Sequence, residues 1–252
     1  MRRAWVCLVV LAFMFSISPV PAQPDEGTIA RIVSWRAKPG MKDEMEKGIK
    51  KHMDWHRQHH DAWAWLTWET VTGENTGRYG GGTFDHHWAD FDNPSVPEDE
   101  DQADADATVF PYIEDAQVRY YAYLPEISRK NDSGAAMNGI ITFQVRAGKD
   151  RQFNHLIKKF HEAIGKTEWP VRYEWYALVN GGRAGEYVLV LPRDKWADFA
   201  PLETPFAQML EEAYGRAEAD SILDAWGEVI EGSVNEIIAN RPDLSYVPGS
   251  ND

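Results

Sequence analysis

The sequence predicts an α+β protein built from two copies of one unit. Two observations predict this. Residues 32–91 align with residues 140–199 at a constant offset of 108 without a gap, and both segments carry the same order of strand and helix patterns. Of the 60 aligned positions 13 are identical, whereas unrelated sequences of ordinary composition would share roughly four. A duplication is therefore the expected origin of the chain.

The identities fall in short motifs and at turn positions. Trp-Ala-Asp-Phe occurs at residues 88–91 and again at 196–199, and Ile-Lys-Lys occurs at 49–51 and 157–159. The other identical pairs include Gly40 with Gly148, Gly73 with Gly181, Gly77 with Gly185 and Tyr79 with Tyr187.

Each copy begins with a strand and continues with an amphipathic helix. The strands are predicted at residues 32–36 and 140–145, where apolar and polar residues alternate. After Gly40 or Gly148, apolar side chains recur at helical spacing. These are Met45 and Ile49 in the first copy, and Phe153, Ile157, Phe160 and Ile164 in the second.

Each copy then continues with two strands joined by a glycine turn, a second helical region and a closing strand. The glycine pairs are typical of such turns. The resulting order is β-α-β-β-α-β, a split βαβ arrangement. The strands are predicted at residues 63–71, 79–84 and 118–124 in the first copy and at 171–179, 187–191 and about 234–239 in the second.

The two copies differ in their second helical region. The second copy has a long helical pattern from about residue 204 to 231, whereas the first copy has an acidic stretch from Glu98 to Asp106. This stretch lacks the glycine and the closing glutamate of an EF-hand calcium loop. We therefore expect a solvated surface loop there.

The N-terminus is typical of a secretory signal peptide. Arg2 and Arg3 precede an apolar run at residues 6–17 and a small-residue site that ends at Ala22. We expect residues 1–22 to be removed, residues 28–128 and 137–246 to form the two units, and residues 129–136 to link them. The mature protein is expected to be exported, to the periplasm or the medium, and to lack a membrane span.

Composition excludes several classes of function. The single cysteine, Cys7, lies in the predicted leader, which excludes disulfides, cysteine nucleophiles and thiolate metal sites from the mature chain. The net charge of −14 disfavours nucleic acid and anionic membranes as partners. Nucleophile-elbow, phosphate-loop and dinucleotide motifs are not found.

Two such units in one chain resemble the dimeric α/β barrel superfamily, in a fused tandem form. The resemblance rests on element order and duplication and covers nearly the whole mature chain. It implies two tandem ferredoxin-like units that form a pseudo-dimeric α/β barrel. The superfamily includes antibiotic-biosynthesis monooxygenases, haem-degrading monooxygenases and chlorite dismutases, so the fold alone does not determine the reaction.

The histidines are distributed unequally between the copies. Six of the eight lie in the first copy. His52 and His56 fall on the same helix stripe as Met45 and Ile49, and their counterparts 108 residues later are Phe160 and Ile164. The first copy has thus replaced two core hydrophobes with imidazoles, and buried imidazoles need polar partners.

His52 and His56 can chelate one metal ion, because side chains four residues apart project from the same helix face. A haem group with one of them as axial ligand is a variant of this hypothesis. Histidines that are only hydrogen-bonded or exposed are the alternative. His59 and His60 are expected at the helix end, and His86 and His87 on the surface. The third metal ligand is left open among His59, His60, His86, His87, Asp85 and Glu69.

A second difference indicates a ligand pocket in the first copy. Gly80, Gly81 and Gly82 replace the bulky residues 188–190 of the second copy within a strand. Glycines in a strand commonly mark a place where a ligand approaches the backbone. We expect a cavity there, bordered by Gly81 and by tryptophans. The tryptophans are Trp35, Trp63, Trp65 and Trp68.

Arg36 is the remaining candidate binding residue. It lies on the polar face of the first strand and would anchor an anionic ligand if that face lines the barrel interior. The alternative is an arginine that ends its strand in solvent.

Together these features predict a small-molecule-binding protein with a histidine- and tryptophan-lined pocket in the first unit. Monooxygenase-like or metal- or haem-dependent chemistry is implied by the resemblance. The alternative is a noncatalytic interaction or structural module with the same fold. The sequence leaves open whether the protein is an enzyme, which ligand it binds and its oligomeric state.

Overall fold

The structure, a computed structural model, describes residues 28–130 and 134–249. The predicted signal peptide, residues 1–22, lies outside the described residues, as do three residues of the predicted linker. Within the described ranges, no helix combines the length and the apolar character needed to cross a membrane.

The chain folds into a closed antiparallel barrel of eight strands with five helices. The first half contains β1 (Ile29–Ala37), α1 (Lys42–Gln58), β2 (Leu66–Thr70), β3 (Arg78–His86), α2 (Glu98–Thr108) and β4 (Ile113–Tyr123). The second half contains β5 (Met137–Val145), α3 (Asp150–Lys166), β6 (Glu174–Asn180), β7 (Glu186–Arg193), α4 (Phe206–Tyr214), α5 (Arg216–Val229) and β8 (Ile230–Asn240). The strand order around the barrel is β1-β3-β2-β8-β5-β7-β6-β4. The predicted α+β class is confirmed.

Strand pairing repeats between the halves at the offset found in the sequence. Ile32 of β1 pairs with Gly82 of β3, and Ile140 of β5 pairs with Val190 of β7. Both members of the second pair lie 108 residues after those of the first. The two halves join where β2 pairs with β8 and β4 pairs with β6. The barrel therefore closes through contacts between the halves.

The segment after the last strand of each half crosses to the other half. Tyr246, beyond β8, forms a β-bridge with Trp65, and Arg129, beyond β4, forms one with Tyr173. The hydroxyl of Ser245 accepts a hydrogen bond of 2.9 Å from the Thr67 backbone N–H. Each half is thus completed by residues of the other.

The outer face of the sheet packs against the helices. Trp35 of β1 and Tyr79 of β3 form a core with Met45 and Ile49 of α1. In the second half a larger core surrounds α3, where Phe160 lies 5.0 Å from both Trp226 and Phe206, measured between ring centroids.

The structure corrects the expectation of a cavity at the glycine strand. A Cβ atom on Gly80 would overlap the indole of Trp68, and one on Gly81 would lie 2.7 Å from the ring of Trp35. The missing side chains make room for these tryptophan rings, so the glycines border packed side chains and not open space. Gly81 therefore has no place for a ligand beside it.

The acidic stretch is also corrected. It forms α2 and not a loop, with four acidic residues in the first turn of the helix. Carboxylates there interact favourably with the partial positive charge of the helix N-terminus. Helix α2 packs across α1 and brings two of its aspartates to the histidines.

Candidate functional site

Helix α1 carries His52 and His56 one turn apart on the face that packs against the protein. This face also carries the buried apolar residues Met45, Ile49 and Met53. The His56 side chain is 1% exposed and that of His52 is 13% exposed. The rings of His52 and His56 meet edge to face, with centroids 4.7 Å apart.

The end of α1 places a carboxylate beneath His56. His60 adopts a left-handed conformation with φ of 53°, and the backbone N–H of Asp61 donates to the His56 carbonyl at 3.1 Å. The chain therefore folds back and directs the Asp61 side chain towards the ring of His56. The second half makes the same turn at Glu168, whose φ is 51°. There, however, the residue equivalent to Asp61 is Trp169.

Asp61 is a buried carboxylate with several donors. It accepts hydrogen bonds from His56 Nδ1 at 2.8 Å and Trp65 Nε1 at 2.9 Å. The backbone N–H of Trp63 and the hydroxyl of Ser95 also donate to it. Burial raises the pKa of Asp61, but these hydrogen bonds outweigh it and lower the pKa to about 2. Asp61 is therefore an anion at neutral pH, and His56 Nδ1 carries the proton.

His52 has an equivalent partner on α2. Its Nδ1 lies 2.8 Å from Asp104 Oδ2, and its Nε2 lies 3.3 Å from Asp101 Oδ1. Burial disfavours the charged ring, but the carboxylates of Asp101 and Asp104 outweigh it and raise the pKa of His52 above its ordinary value. His52 thus lies in a strongly anionic environment.

A close approach between α1 and α2 makes these contacts possible. A Cβ atom at Gly48 of α1 would overlap the backbone carbonyl of Thr108 at the end of α2. Glycine is therefore required where the two helices cross. The equivalent residue in the second half is Leu156, which is buried in the core.

Three ligand atoms converge in this site. One ring nitrogen each of His52 and His56 and one oxygen of Asp101 lie within 4.8 Å of one another. His56 Nε2 is 3.5 Å from Asp101 Oδ1, and this oxygen is buried with no hydrogen-bond partner among the described residues. Since each Nδ1 faces a carboxylate, each ring, when it is neutral, presents the lone pair of its Nε2 to the Asp101 oxygen. Three acceptors that face one another require a cation between them, either a proton or a metal ion.

A small cavity of about 90 Å³ opens beside Asp101. Its walls are mostly apolar and include Trp63 and Trp65 from the α1–β2 connection and Phe91 from the Trp-Ala-Asp-Phe motif. Arg31 of β1 also lines it. A site with apolar walls and few polar groups is suited to a small molecule.

The structure brings some of the candidate residues together and separates others. His52, His56 and Trp65 meet, and the Trp65 ring stacks on His56 with centroids 5.3 Å apart. Trp35 is buried under α1. Arg36 donates to the Thr76 carbonyl at 3.4 Å in an exposed contact, in agreement with a strand end in solvent.

The other proposed third ligands lie elsewhere in the described part of the chain. Glu69 binds Lys42, and Asp85 lies near Lys130. His59 and His60 lie at the end of α1, as expected. His86 is buried, contrary to the expectation of a surface position, and its Nε2 contacts the Thr83 hydroxyl at 2.5 Å. His87 is exposed.

Sequence reasoning missed four residues of the site: Asp61, Asp101, Asp104 and Arg31. One signal for two of them was available. Asp101 and Asp104 are three residues apart, which is the spacing of one helix face, and they follow Pro97, a residue typical of helix starts. Two buried imidazoles also require acidic partners, which this stretch contains.

Comparison with known proteins identifies the fold. No family model matches the sequence, and no curated protein matches it. A candidate monooxygenase from Lactobacillus acidophilus NCFM superposes with a TM-score of 0.55 at 10% identity, covering 88% of this chain and 96% of that one. An anthrone oxidase-like protein gives a TM-score of 0.51 at 10% identity, covering 89% and 94%.

A W145V mutant of the chlorite dismutase from Candidatus Nitrospira defluvii gives a TM-score of 0.54 at 6% identity, covering 86% of this chain and 92% of that one. These similarities show that the chain has the dimeric α/β barrel fold, as the resemblance implied. At such low identities they show the fold alone, and the chemistry has to be argued from the site.

A haem group does not fit the site around His52 and His56. The cavity of about 90 Å³ is far smaller than the roughly 300–1,000 Å³ of typical ligand and cofactor pockets. The Nε2 atoms of both histidines also face the Asp101 carboxylate and not an open space. The donor set instead suits a single metal ion held directly by side chains.

Proposed function

We propose that this protein is an exported metalloprotein that binds a divalent transition-metal ion at His52, His56 and Asp101 and a small molecule in the adjoining cavity. One observation carries the proposal. Two imidazole nitrogens lie within 4.8 Å of each other and of a buried carboxylate oxygen, and this oxygen has no hydrogen-bond partner in the part of the chain that the structure describes.

The surroundings of the three ligands support a metal ion. Metal-bound histidines typically donate the other ring N–H to a carboxylate, which orients the ring. Both histidines have such a partner, Asp104 for His52 and Asp61 for His56. Two histidines and one carboxylate are the donor set of zinc sites and of non-haem iron oxygenases, which leave further coordination positions open.

Other parts of the proposal rest on the sequence and on fold similarity. Export rests on the signal-peptide pattern at residues 1–22. The origin in two tandem ferredoxin-like units is supported by the repeated strand register. Monooxygenase-like chemistry is supported by the neighbours in the structural comparison and by the donor set. In such a reaction the metal ion would supply the redox chemistry, and the aromatic walls would exclude water from the small molecule.

The metal site can be tested by equilibrium dialysis of the purified, chelator-treated protein against Zn²⁺, followed by elemental analysis. We expect one ion per chain. The Asp101→Asn variant should bind at least about tenfold more weakly, the effect of losing roughly 1.4 kcal/mol. Asp99→Asn is the matched control, because Asp99 lies exposed on the same helix and should leave zinc binding unchanged.

The pH dependence of zinc binding tests the same site independently. Zinc has to displace a proton from His52, whose pKa is raised by its carboxylate partners, so zinc affinity should increase as the pH rises above about 6.5. A protein that binds no zinc, or binds it equally well in Asp101→Asn, would contradict the proposal. The noncatalytic module predicts that result.

A further inference from the structure

The cavity beside the three ligands contains one strongly basic group. Among the described residues that line it, Arg31 is the only base. Arg31 lies on β1 between Tyr120 of β4 and Thr83 of β3. Its position is therefore fixed by the barrel and not by a mobile loop.

Arg31 is not satisfied by the protein. Its Nε atom is buried and has no hydrogen-bond partner within residues 28–130 and 134–249. The ion pair that it forms is a 3.9 Å contact with Glu98, whose side chain is 69% exposed. An ion pair with one exposed partner at this distance contributes little. A buried guanidinium N–H without an acceptor is costly, which indicates that a ligand supplies the acceptor.

Arg31 is also specific to the half that carries the histidines. The equivalent residue in the second half is Gly139, and a Cβ atom there would lie 3.4 Å from the ring of Phe199. The equivalent position in the second half therefore borders an aromatic ring and carries no charge. The cation and the two imidazoles occur together in the first half and are both absent from the equivalent positions of the second.

Two residues of opposite charge, Arg31 and Asp101, therefore line the same cavity. Each has one buried atom, Arg31 Nε and Asp101 Oδ1, without a hydrogen-bond partner among the described residues. We propose that the molecule bound here is a small planar oxyanion or short carboxylate, held by the Arg31 guanidinium on one side and by the metal ion on the other. This inference rests on the proposed metal site. The planar guanidinium fork matches a carboxylate.

The size of the cavity limits the ligand. A volume of about 90 Å³ corresponds to roughly three water molecules at ~30 Å³ each. Formate and acetate fit this limit, whereas an aromatic acid does not. The aromatic side chains Trp63 and Phe91 would contact the apolar end of such a carboxylate.

The charges of the cavity make anion binding depend on the metal ion. Glu98 and Asp101 line it together with Arg31, so the metal-free cavity carries more negative than positive charge. A divalent ion at Asp101 reverses this balance. The carboxylate is therefore expected to bind the metal-loaded protein and to bind the metal-free protein at least about tenfold more weakly.

The test uses Co²⁺ as the bound metal, because its visible absorption reports changes in its ligands. Acetate added to the Co²⁺-loaded protein should change this spectrum in a saturable manner, and the neutral analogue acetamide should not. The Arg31→Gln variant should still bind one Co²⁺ per chain but should bind acetate at least tenfold more weakly. The matched control is Arg36→Gln, because Arg36 lies on the same strand in an exposed contact; its acetate binding should be unchanged.

The outcomes separate the two proposals. If no Co²⁺ or Zn²⁺ binds, the metal site is wrong, and the metal-dependent oxyanion site is wrong with it. If metal binds but acetate leaves the spectrum unchanged, or binds Arg31→Gln as tightly as the wild type, only the oxyanion site is wrong. The Arg31→Lys variant is a control for misfolding, because lysine keeps the positive charge of Arg31 but lacks the planar guanidinium group. It should bind acetate more weakly than the wild type and retain the wild-type circular dichroism spectrum.

Discussion

The two halves of the molecule share a backbone arrangement, but at equivalent positions the first half buries polar side chains and the second half buries apolar ones. In the second half, Phe160 and Ile164 of α3 pack against aromatic residues of α4 and α5. In the first half, the equivalent His52 and His56 meet the carboxylates of Asp101 and Asp61. The turn after the helix is the same in both, with φ of 53° at His60 and 51° at Glu168.

This difference shows that the polar site of the first half is built on the same turn, at His60, that the second half has at Glu168. A carboxylate at position 61 and an indole at position 169 occupy equivalent places in that turn. Burial of an indole stabilises the second half through apolar contacts. A buried carboxylate does so only if its hydrogen bonds are complete. The first half is therefore the part whose stability depends on individual polar contacts.

The largest expected effect comes from removing that carboxylate. Asp61→Ala leaves His56 Nδ1 and Trp65 Nε1 without their acceptor, so the free energy of unfolding should fall by about 1–3 kcal/mol for each donor left unsatisfied. Urea denaturation measures this. Asp54→Ala on the exposed side of α1 is the control and should change stability by no more than about 0.5 kcal/mol. Equal effects of the two substitutions would show that Asp61 has no special role in the first half.

The second prediction concerns the crossing of α1 and α2. Gly48→Ala forces the Thr108 backbone away from α1, and overpacking of this kind costs about 1–3 kcal/mol. Zinc affinity should fall as well, because Asp101 and Asp104 move away from His52. Gly165→Ala in α3 is the control, since a Cβ atom there meets open space; it should be neutral or slightly stabilising because alanine favours helices. Unchanged zinc binding in Gly48→Ala would show that the position of α2 does not depend on this contact.

The smallest expected effect is the pH dependence contributed by His52. Its pKa is raised in the folded protein, so protonated His52 stabilises the fold. This contribution is complete below the unfolded pKa of about 6.5 and is lost as the pH rises through the folded pKa. Each unit of the shift is worth about 1.4 kcal/mol.

The metal-free protein should therefore lose this contribution as the pH rises above about 6.5, measured as the urea midpoint against pH. His52→Phe, which introduces the residue of the second half, should abolish that slope. If the slope persists in His52→Phe, another group is responsible for it.

The sequence was sufficient for the order of the strands and for two of the three residues that meet in the candidate site, but not for Asp101. Repetition and apolar spacing predict α1 and α3 because their buried faces are hydrophobic. Helix α2 was predicted as a loop because its sequence, Glu-Asp-Glu-Asp-Gln-Ala-Asp-Ala-Asp-Ala-Thr, has no apolar stripe. Its inward face carries Asp101 and Asp104, and a pattern based on hydrophobicity cannot detect a helix that is held by charges.

The prediction of a cavity at the glycine strand was wrong for a different reason. Loss of three side chains predicts space, but Trp68, Trp35 and Ile32 from the neighbouring strands fill it. Which ring occupies which gap depends on tertiary packing, which a single sequence does not specify.

The segment after β8, which packs against the first half of the molecule, affects the order in which the molecule assembles. The Tyr246 hydroxyl donates to the backbone carbonyl of Asp61, 185 residues earlier in the chain, at 2.7 Å, and its ring stacks on His56. Contacts between such distant residues form late, because a long loop must close first. A nascent chain that has exposed only its first half still lacks one wall of the histidine site. Uptake of the proposed metal ion is therefore expected only after synthesis has passed Tyr246.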